Sequence, residues 1–334
     1  MAWPEFVLTL LFILLAAEIF VNALEHLGER LHISEGVTGS LFAAIGTALP
    51  ETLVPLLAFA GGDAANREIG TGAILGAPLM LSTLSISLLG WVSLRKRGTH
   101  GIFHAEKTGF TRDLNTFLLA FSLAALALFL PRDMPTARIA IAFVLLLMYF
   151  IHILLTLRAS AKLVASGHGT EAENPLHFQR YGLALTWWLI IVQLMAGLGL
   201  LILSAKGFIA SIHTIAPQLG IPPLLLSLLL VPVATELPEK INSIVWVRRQ
   251  KDTLAFGNIT GALVFQGTLL PAIGMLATDW QAQPSTLASV AITLLGAGWL
   301  RLCIARGKLK VWQLWGNSAL YLAYLFISLF ISLY

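Results

Sequence analysis

Long apolar runs, separated by short polar connections, constrain this sequence more than any other feature. A backbone inside hydrocarbon must satisfy its own N–H and C=O groups, so each run has to cross as a helix. Crossing about 30 Å of hydrocarbon takes roughly 20 residues. Ten such windows lie near residues 5–25, 37–60, 68–93, 114–130, 137–157, 183–204, 222–247, 253–276, 284–300 and 313–333. With 57% hydrophobic and 11% charged residues and a mean hydropathy of +0.83, a soluble globular domain is excluded. The expected class is an all-α integral membrane protein of about ten transmembrane helices. The first window lacks a basic leader stretch and a small-x-small cleavage site before Glu25, so it reads as a retained helix. The single cysteine, Cys303, excludes an internal disulfide framework and a thiolate metal cluster.

The net charge of +4 follows from membrane topology. Of the 21 Lys and Arg residues, 17 group with the odd-numbered connections and 4 with the even ones, or 16 against 3 once Lys240 and Lys206 are set aside as helical; the 16 include Arg95, Lys96, Arg97, Arg248, Arg249 and Lys251. The positive-inside rule then puts those connections in the cytoplasm and both termini outside, in a cell (inner) membrane. The expected partners are inorganic cations and membrane lipid, with no nucleic acid. The longest polar connection, about residues 159–181, separates a first unit of five helices (1–158) from a second (182–334).

These two units repeat one another. GTALPE, Gly46 to Glu51, recurs as ATELPE, Ala234 to Glu239, and at the same offset Ala17 matches Ala205 and Phe20 matches Phe208. Five helices separate the copies. An odd number reverses the direction of entry into the bilayer, so the expected architecture is two inverted five-helix repeats.

Each copy sets a Thr and a Pro-Glu pair near the middle of its window, where a carboxylate is costly and is a functional candidate by default. Proline removes an amide donor and disturbs the preceding turn, so carbonyls near Ala44 and Thr47, or Pro232 and Thr235, become candidates to face a cation. Carboxylates, hydroxyls and backbone oxygens together suit a hard cation such as calcium or sodium. Glu51 and Glu239 are therefore the core candidates. Glu236, nearly on the face of Glu239, reads as a third ligand, a proton carrier, or one half of an ordinary i,i+4 pair with Lys240.

The two motifs resemble those of the cation/calcium exchanger superfamily, which includes sodium/calcium and proton/calcium exchangers. That family carries Gly-Thr-Ser-x-Pro-Glu/Asp in each repeat, followed on the next helix by Gly-Asn-x-x-Gly-Ser-Asn-x-x-Asn. Here the second element reads GAILGAPLML (Gly72 to Leu81) and GNITGALVFQ (Gly257 to Gln266). The resemblance implies Glu51 and Glu239 as central ligands, Thr47 and Thr235 as oxygen donors, Gln266 at the family's amide or acid position, and Asn258 at its Gly-Asn position. Ala73, Ala77, Pro78 and Leu81 replace polar residues of the family, and Ala48, Glu236 and Ala262 replace its serines.

The implied function is secondary antiport by alternating access: Ca2+ or a related cation against Na+ or H+, with no cofactor. The alternatives are a passive or sensing homologue with a reduced site, and an intramembrane enzyme. The latter finds no nucleophile and base at depth, since His152 is the only histidine well inside a window and has no match in the other half. Outside the motifs, Glu18 and Lys206 occupy equivalent positions and either pair across the repeat or snorkel. The Gly72/Gly76 and Gly257/Gly261 spacings point to close helix packing. His100, His104, His168 and His177 read as solvated.

Overall fold

The computed structural model describes residues 2–30, 44–131, 133–164 and 174–333. His168 lies outside these. So do the side chains of Thr47 and Glu239, although their backbones belong to described helices.

Ten membrane passes result. They are α1 (Ala2–Arg30), α2 (Ala44–Ala60), α3 (Ala64–Arg97), α4 (Lys107–Ala127), α5 (Pro135–Val164), α6 (Trp187–Leu219), α7 in two pieces (Pro223–Thr235 and Leu237–Arg248), α8 (Asp252–Ala277), α9 (Pro284–Ala305) and α10 (Trp315–Leu333). Among the described residues seven helices meet the length and apolarity of a membrane span outright, and α2, α4 and the divided α7 complete the ten. Asp63, Glu106 and Thr186 cap the starts of α3, α4 and α6, each accepting from backbone N–H groups of the first turn. Left-handed Gly220 closes α6.

The repeat offset survives in three dimensions. Carried forward by the 188 residues that separate Glu51 from Glu239, Ala64 at the start of α3 falls on Asp252 at the start of α8. These two equivalent helices form the centre: the α3 span is 89% buried and the α8 span 72%, against 17% for α5. α5 instead turns Phe143, Leu147, Phe150 and Leu154 outward, as a lipid-facing helix must. Equivalent helices α1 and α6 lie along one another, with Gly197 against the Phe20 backbone and Gly207 against Thr9. A buried knot fastens them, in which the Gln193 amide donates to Asn22 Oδ1 (2.9 Å) and to the Ile19 carbonyl (3.1 Å).

Contacts between connections separate the two faces of the bundle. The α3–α4 and α9–α10 connections pair as a short antiparallel ribbon, β1 (Ile102–Phe103) with β2 (Leu309–Lys310). The Arg97 guanidinium holds Asp252 with two hydrogen bonds of 2.6 Å, tying the end of α3 to the start of α8. On the opposite face, Ala282 N–H donates to the Leu128 carbonyl and His213 lies 3.9 Å from Asp63. Odd-numbered connections thus gather with odd and even with even, the grouping that the basic residues predict.

Glu18 approaches His177 at 3.7 Å while Lys206 is exposed, and no Glu18–Lys206 ion pair occurs among the described residues; snorkelling describes Lys206. The glycine expectation holds on α3. Gly72 lies against Ser227 and the Leu224 carbonyl, and Gly76 against the Leu228 carbonyl and the Pro232 ring of α7. A Cβ on Gly257 or Gly261 would meet no described atom within 4 Å.

Candidate cation site

The site is built where two proline-disturbed helices meet α8. In α2, Pro50 has no N–H for the Gly46 carbonyl and Pro55 none for that of Glu51. In α7 the disturbance is a break: the first piece ends at Thr235, the second begins at Leu237, and Glu236 between them adopts φ −97°, ψ 5°. Pro238 leaves the Ala234 carbonyl without its helical donor. The Pro232 carbonyl is not freed. It accepts the Glu236 N–H at 3.2 Å and the Lys240 ammonium at 3.3 Å, which corrects the sequence reading of that oxygen.

Glu51 and Glu236 come together through Gln266. Its Nε2 donates to Glu51 Oε2 at 3.1 Å and to Glu236 Oε1 at 3.3 Å. All three are buried, Glu51 at 3% exposure and the other two at 0%. Gln266 lies fourteen residues into the 26-residue α8, about 21 Å from one end and about 17 Å from the other. The cluster therefore sits near the middle of the α8 span, the depth at which transporter substrate sites generally lie. Gln266 Oε1 is buried and has no hydrogen-bond partner among the described residues. A buried acceptor without a donor needs an explanation, and a cation ligand supplies one. Among the described residues no three His, Cys, Asp or Glu side chains converge. The donor set is two carboxylates and an amide, all hard oxygens toward a cation.

Around this cluster the remaining candidates fall at different distances. Thr235 is buried beside Glu236, and its hydroxyl donates to the Val231 carbonyl at 3.1 Å, leaving lone pairs for a further contact. Asn258 lies two turns from Gln266, about 12 Å along α8, and donates to Ser243 Oγ at 3.0 Å. Through that bond it joins α8 to α7. Ala73 and Ala77 are buried and apolar, so α3 contributes no side-chain oxygen there.

Three groups outside the motifs make further polar or aromatic contacts in the bundle. Lys240 Nζ lies 3.2 Å from Glu236 Oε2, with 6% of its side chain exposed. Tyr149 of α5 packs edge-on against Phe265, the neighbour of Gln266. His152, one turn further on, is 3.8 Å from Asp113 of α4, whose other oxygen accepts from Thr260 of α8. Lys240 carried a sequence signal in its i,i+4 spacing from Glu236, and His152 stood out only as a histidine well inside a window.

A ten-pass inverted-repeat bundle with paired carboxylates at mid-depth defines a membrane cation transporter. The chain belongs to the sodium/calcium exchanger protein family, which matches residues 1–158 and 189–330. It is 26% identical over 274 residues to CaxA, a candidate antiporter of Alkalimonas amylolytica (80% of this chain, 78% of that protein). It is 25% identical over 277 residues to the inner membrane protein YrbG of Escherichia coli strain K12 (82% and 79%). Among solved structures, the H+/Ca2+ exchanger CAX superimposes with a TM-score of 0.71 at 19% identity, covering 99% of this chain and 84% of that one. The sodium-calcium exchanger NCX_Mj gives 0.58 at 22% identity, with 96% of each chain covered.

Proposed function

We propose that this protein is a secondary active antiporter exchanging Ca2+ or a related cation for Na+ or H+ by alternating access. Glu51, Glu239, Glu236, Gln266, Thr47 and Thr235 form its ion site, and Asn258 supports α8 beside it. The observation that carries the reading is the Gln266 amide spanning Glu51 and Glu236 near the middle of α8 while its own oxygen finds no donor among the described residues. Buried carboxylates are costly when charged and uncompensated, so a site of this composition has to change sides occupied. Countertransport follows, because one cation leaves only as another replaces it. The basic connections face the cytoplasm of an inner membrane and both termini lie outside. The clustering of odd-numbered connections on one face supports this.

Calcium-45 uptake into membrane vesicles under imposed Na+ or H+ gradients tests the proposal. Uptake in the parent should depend on the opposing gradient and fall at least ten-fold in Glu51→Gln and Glu239→Gln. Unchanged gradient-driven uptake in both variants would reject the site. The reduced α3, with alanines at 73 and 77, favours one alternative, a passive cation conductor. Uptake that follows the calcium gradient alone, indifferent to the counter-ion, would identify it.

A further inference from the structure

Lys240 and Glu236 depart from the repeat together. The residues equivalent to them in the first half are Thr52 and Ala48, neither of them charged. The second copy of the motif therefore carries one carboxylate more than the first, and with it an ammonium one helical turn away. In water such an i,i+4 pair is a minor surface feature. Here both members are buried, at 6% and 0% side-chain exposure, where an ion pair has to offset a large desolvation cost.

The surroundings of the ammonium resemble those of a bound ion. Lys240 Nζ lies 3.2 Å from Glu236 Oε2 and 3.3 Å from the Pro232 carbonyl, a carboxylate and a backbone oxygen at a broken helix. Glu236 Oε1 is on the opposite side, shared through Gln266 with Glu51. A mobile monovalent cation would find the same kind of oxygen ligands at this position.

We propose that Lys240 is a tethered cation occupying part of the ion site, so that the cargo shares Glu236 with it. Its ammonium cancels the charge that Glu236 adds. This weakens the binding of divalent ions and removes one mobile monovalent cation from each cycle. The inference rests on the antiporter reading and specifies its selectivity. A purely structural pair would predict lost stability on substitution and no gain in ion affinity.

Calorimetric titration of Ca2+ into purified parent, Lys240→Met, Lys240→Arg and Glu236→Gln/Lys240→Met tests the assignment, with Na+ competition measured alongside. Lys240→Met should bind Ca2+ tighter by on the order of ten- to a hundred-fold, the effect of removing a like charge a few ångströms from the ion. Its Na+ competition curve should steepen by one further ion. Lys240→Arg keeps the charge and should match the parent. The double variant loses both charges and should return within about three-fold of the parent, because the pair cancels itself. Should Lys240→Met fail to give monodisperse protein, the double variant decides, since it leaves no charge unpaired: an affinity ten-fold below the parent overturns the proposal. An affinity in folded Lys240→Met no tighter than the parent's overturns it as well. Gradient-driven flux in the parent separates that outcome from failure of the antiporter reading, which absence of both flux and Ca2+ binding would bring down together with this inference.

Discussion

Gln266 in α8 donates to Glu51 in α2 across 215 residues of sequence, and the same nitrogen reaches Glu236 at the break in α7. One neutral amide thereby holds two buried carboxylates in register from opposite halves of the chain. A neutral donor shared between two carboxyl groups bridges them without adding a charge of its own.

Replacing Gln266 removes that spacer. Gln266→Leu keeps the approximate volume and takes away both the donor and the candidate ligand oxygen. We expect gradient-driven Ca2+ uptake to fall at least ten-fold while the protein stays monodisperse. Gln266→Glu sets a third carboxylate beside two others, which should lower uptake at neutral pH and shift its pH profile. Uptake within two-fold of the parent in both variants, measured at matched membrane abundance, would remove Gln266 from the site.

The packing of α3 on α7 gives a prediction about stability. A methyl group at Gly76 would strike the Leu228 carbonyl and come within 2.8 Å of the Pro232 ring, and backbone atoms cannot step aside as a flexible side chain can. Gly76→Ala should cost roughly 1–3 kcal/mol, the usual range for overpacking. Because Pro232 also accepts from Lys240, the displacement reaches the proposed ion site. Gly298→Ala in α9 is the control, since a Cβ there meets nothing within 4 Å and alanine is the better helix former. Thermal melts in detergent should lower the midpoint for the first variant and leave the second at or above the parent.

Much of this organisation was legible in the chain itself. The doubled Pro-Glu motif located Glu51 and the break in α7, because proline and a carboxylate inside an apolar window mark backbone disturbance and charge wherever they occur. The number of passes followed from apolar windows, and the two faces from the basic residues. Long-range pairings were not legible. Nothing near Asn22 announces Gln193, 171 residues away, and only the packing of α1 on α6 makes them neighbours. Asp113 was hidden for a different reason: the apolar window starts at 114, whereas the helix begins at Lys107, so the partner of His152 fell among the apparent loop residues. Hydropathy locates the apolar part of a helix and misses charged turns that continue it.

Glu106 makes a local prediction outside the membrane span. Burial by itself would raise its carboxyl, but hydrogen bonds from the Gly109 and Thr108 amides, with help from Arg112, hold it below the ordinary glutamate value. A carboxyl lowered in the folded state contributes stability that is complete above its unfolded pKa and fades as pH falls through the folded one. Glu106→Ala should therefore lower the melting midpoint at neutral pH, by the equivalent of about 1 kcal/mol for a lost helix cap. The gap between variant and parent should close below the ordinary carboxylate range. A gap that stays constant from neutral to acid pH would show that the cap does not depend on charge.

Arg97 and Asp252 supply the last prediction, because they join equivalent central helices at one face of the bundle. Asp252 is 2% exposed at its side chain and Arg97 10%; two bonds of 2.6 Å join them, and Asp252 also accepts the His104 N–H at 2.7 Å. Arg97 further donates to the Val247 and Ile102 carbonyls and stacks over Phe103, so it holds the end of α7 and the ribbon as well. Removing one partner of a buried pair leaves the other charge uncompensated, at a cost of about 3–5 kcal/mol. Asp252→Asn should show that loss in thermal melts. Arg97→Met with Asp252→Asn buries no unpaired charge and should recover part of it, although the carbonyls of Val247 and Ile102 then lose the Arg97 bond, Val247 keeping the Gln250 N–H. If the double variant melts below Asp252→Asn, those carbonyl bonds outweigh the ion pair, and Arg97 acts chiefly as the clamp on the end of α7.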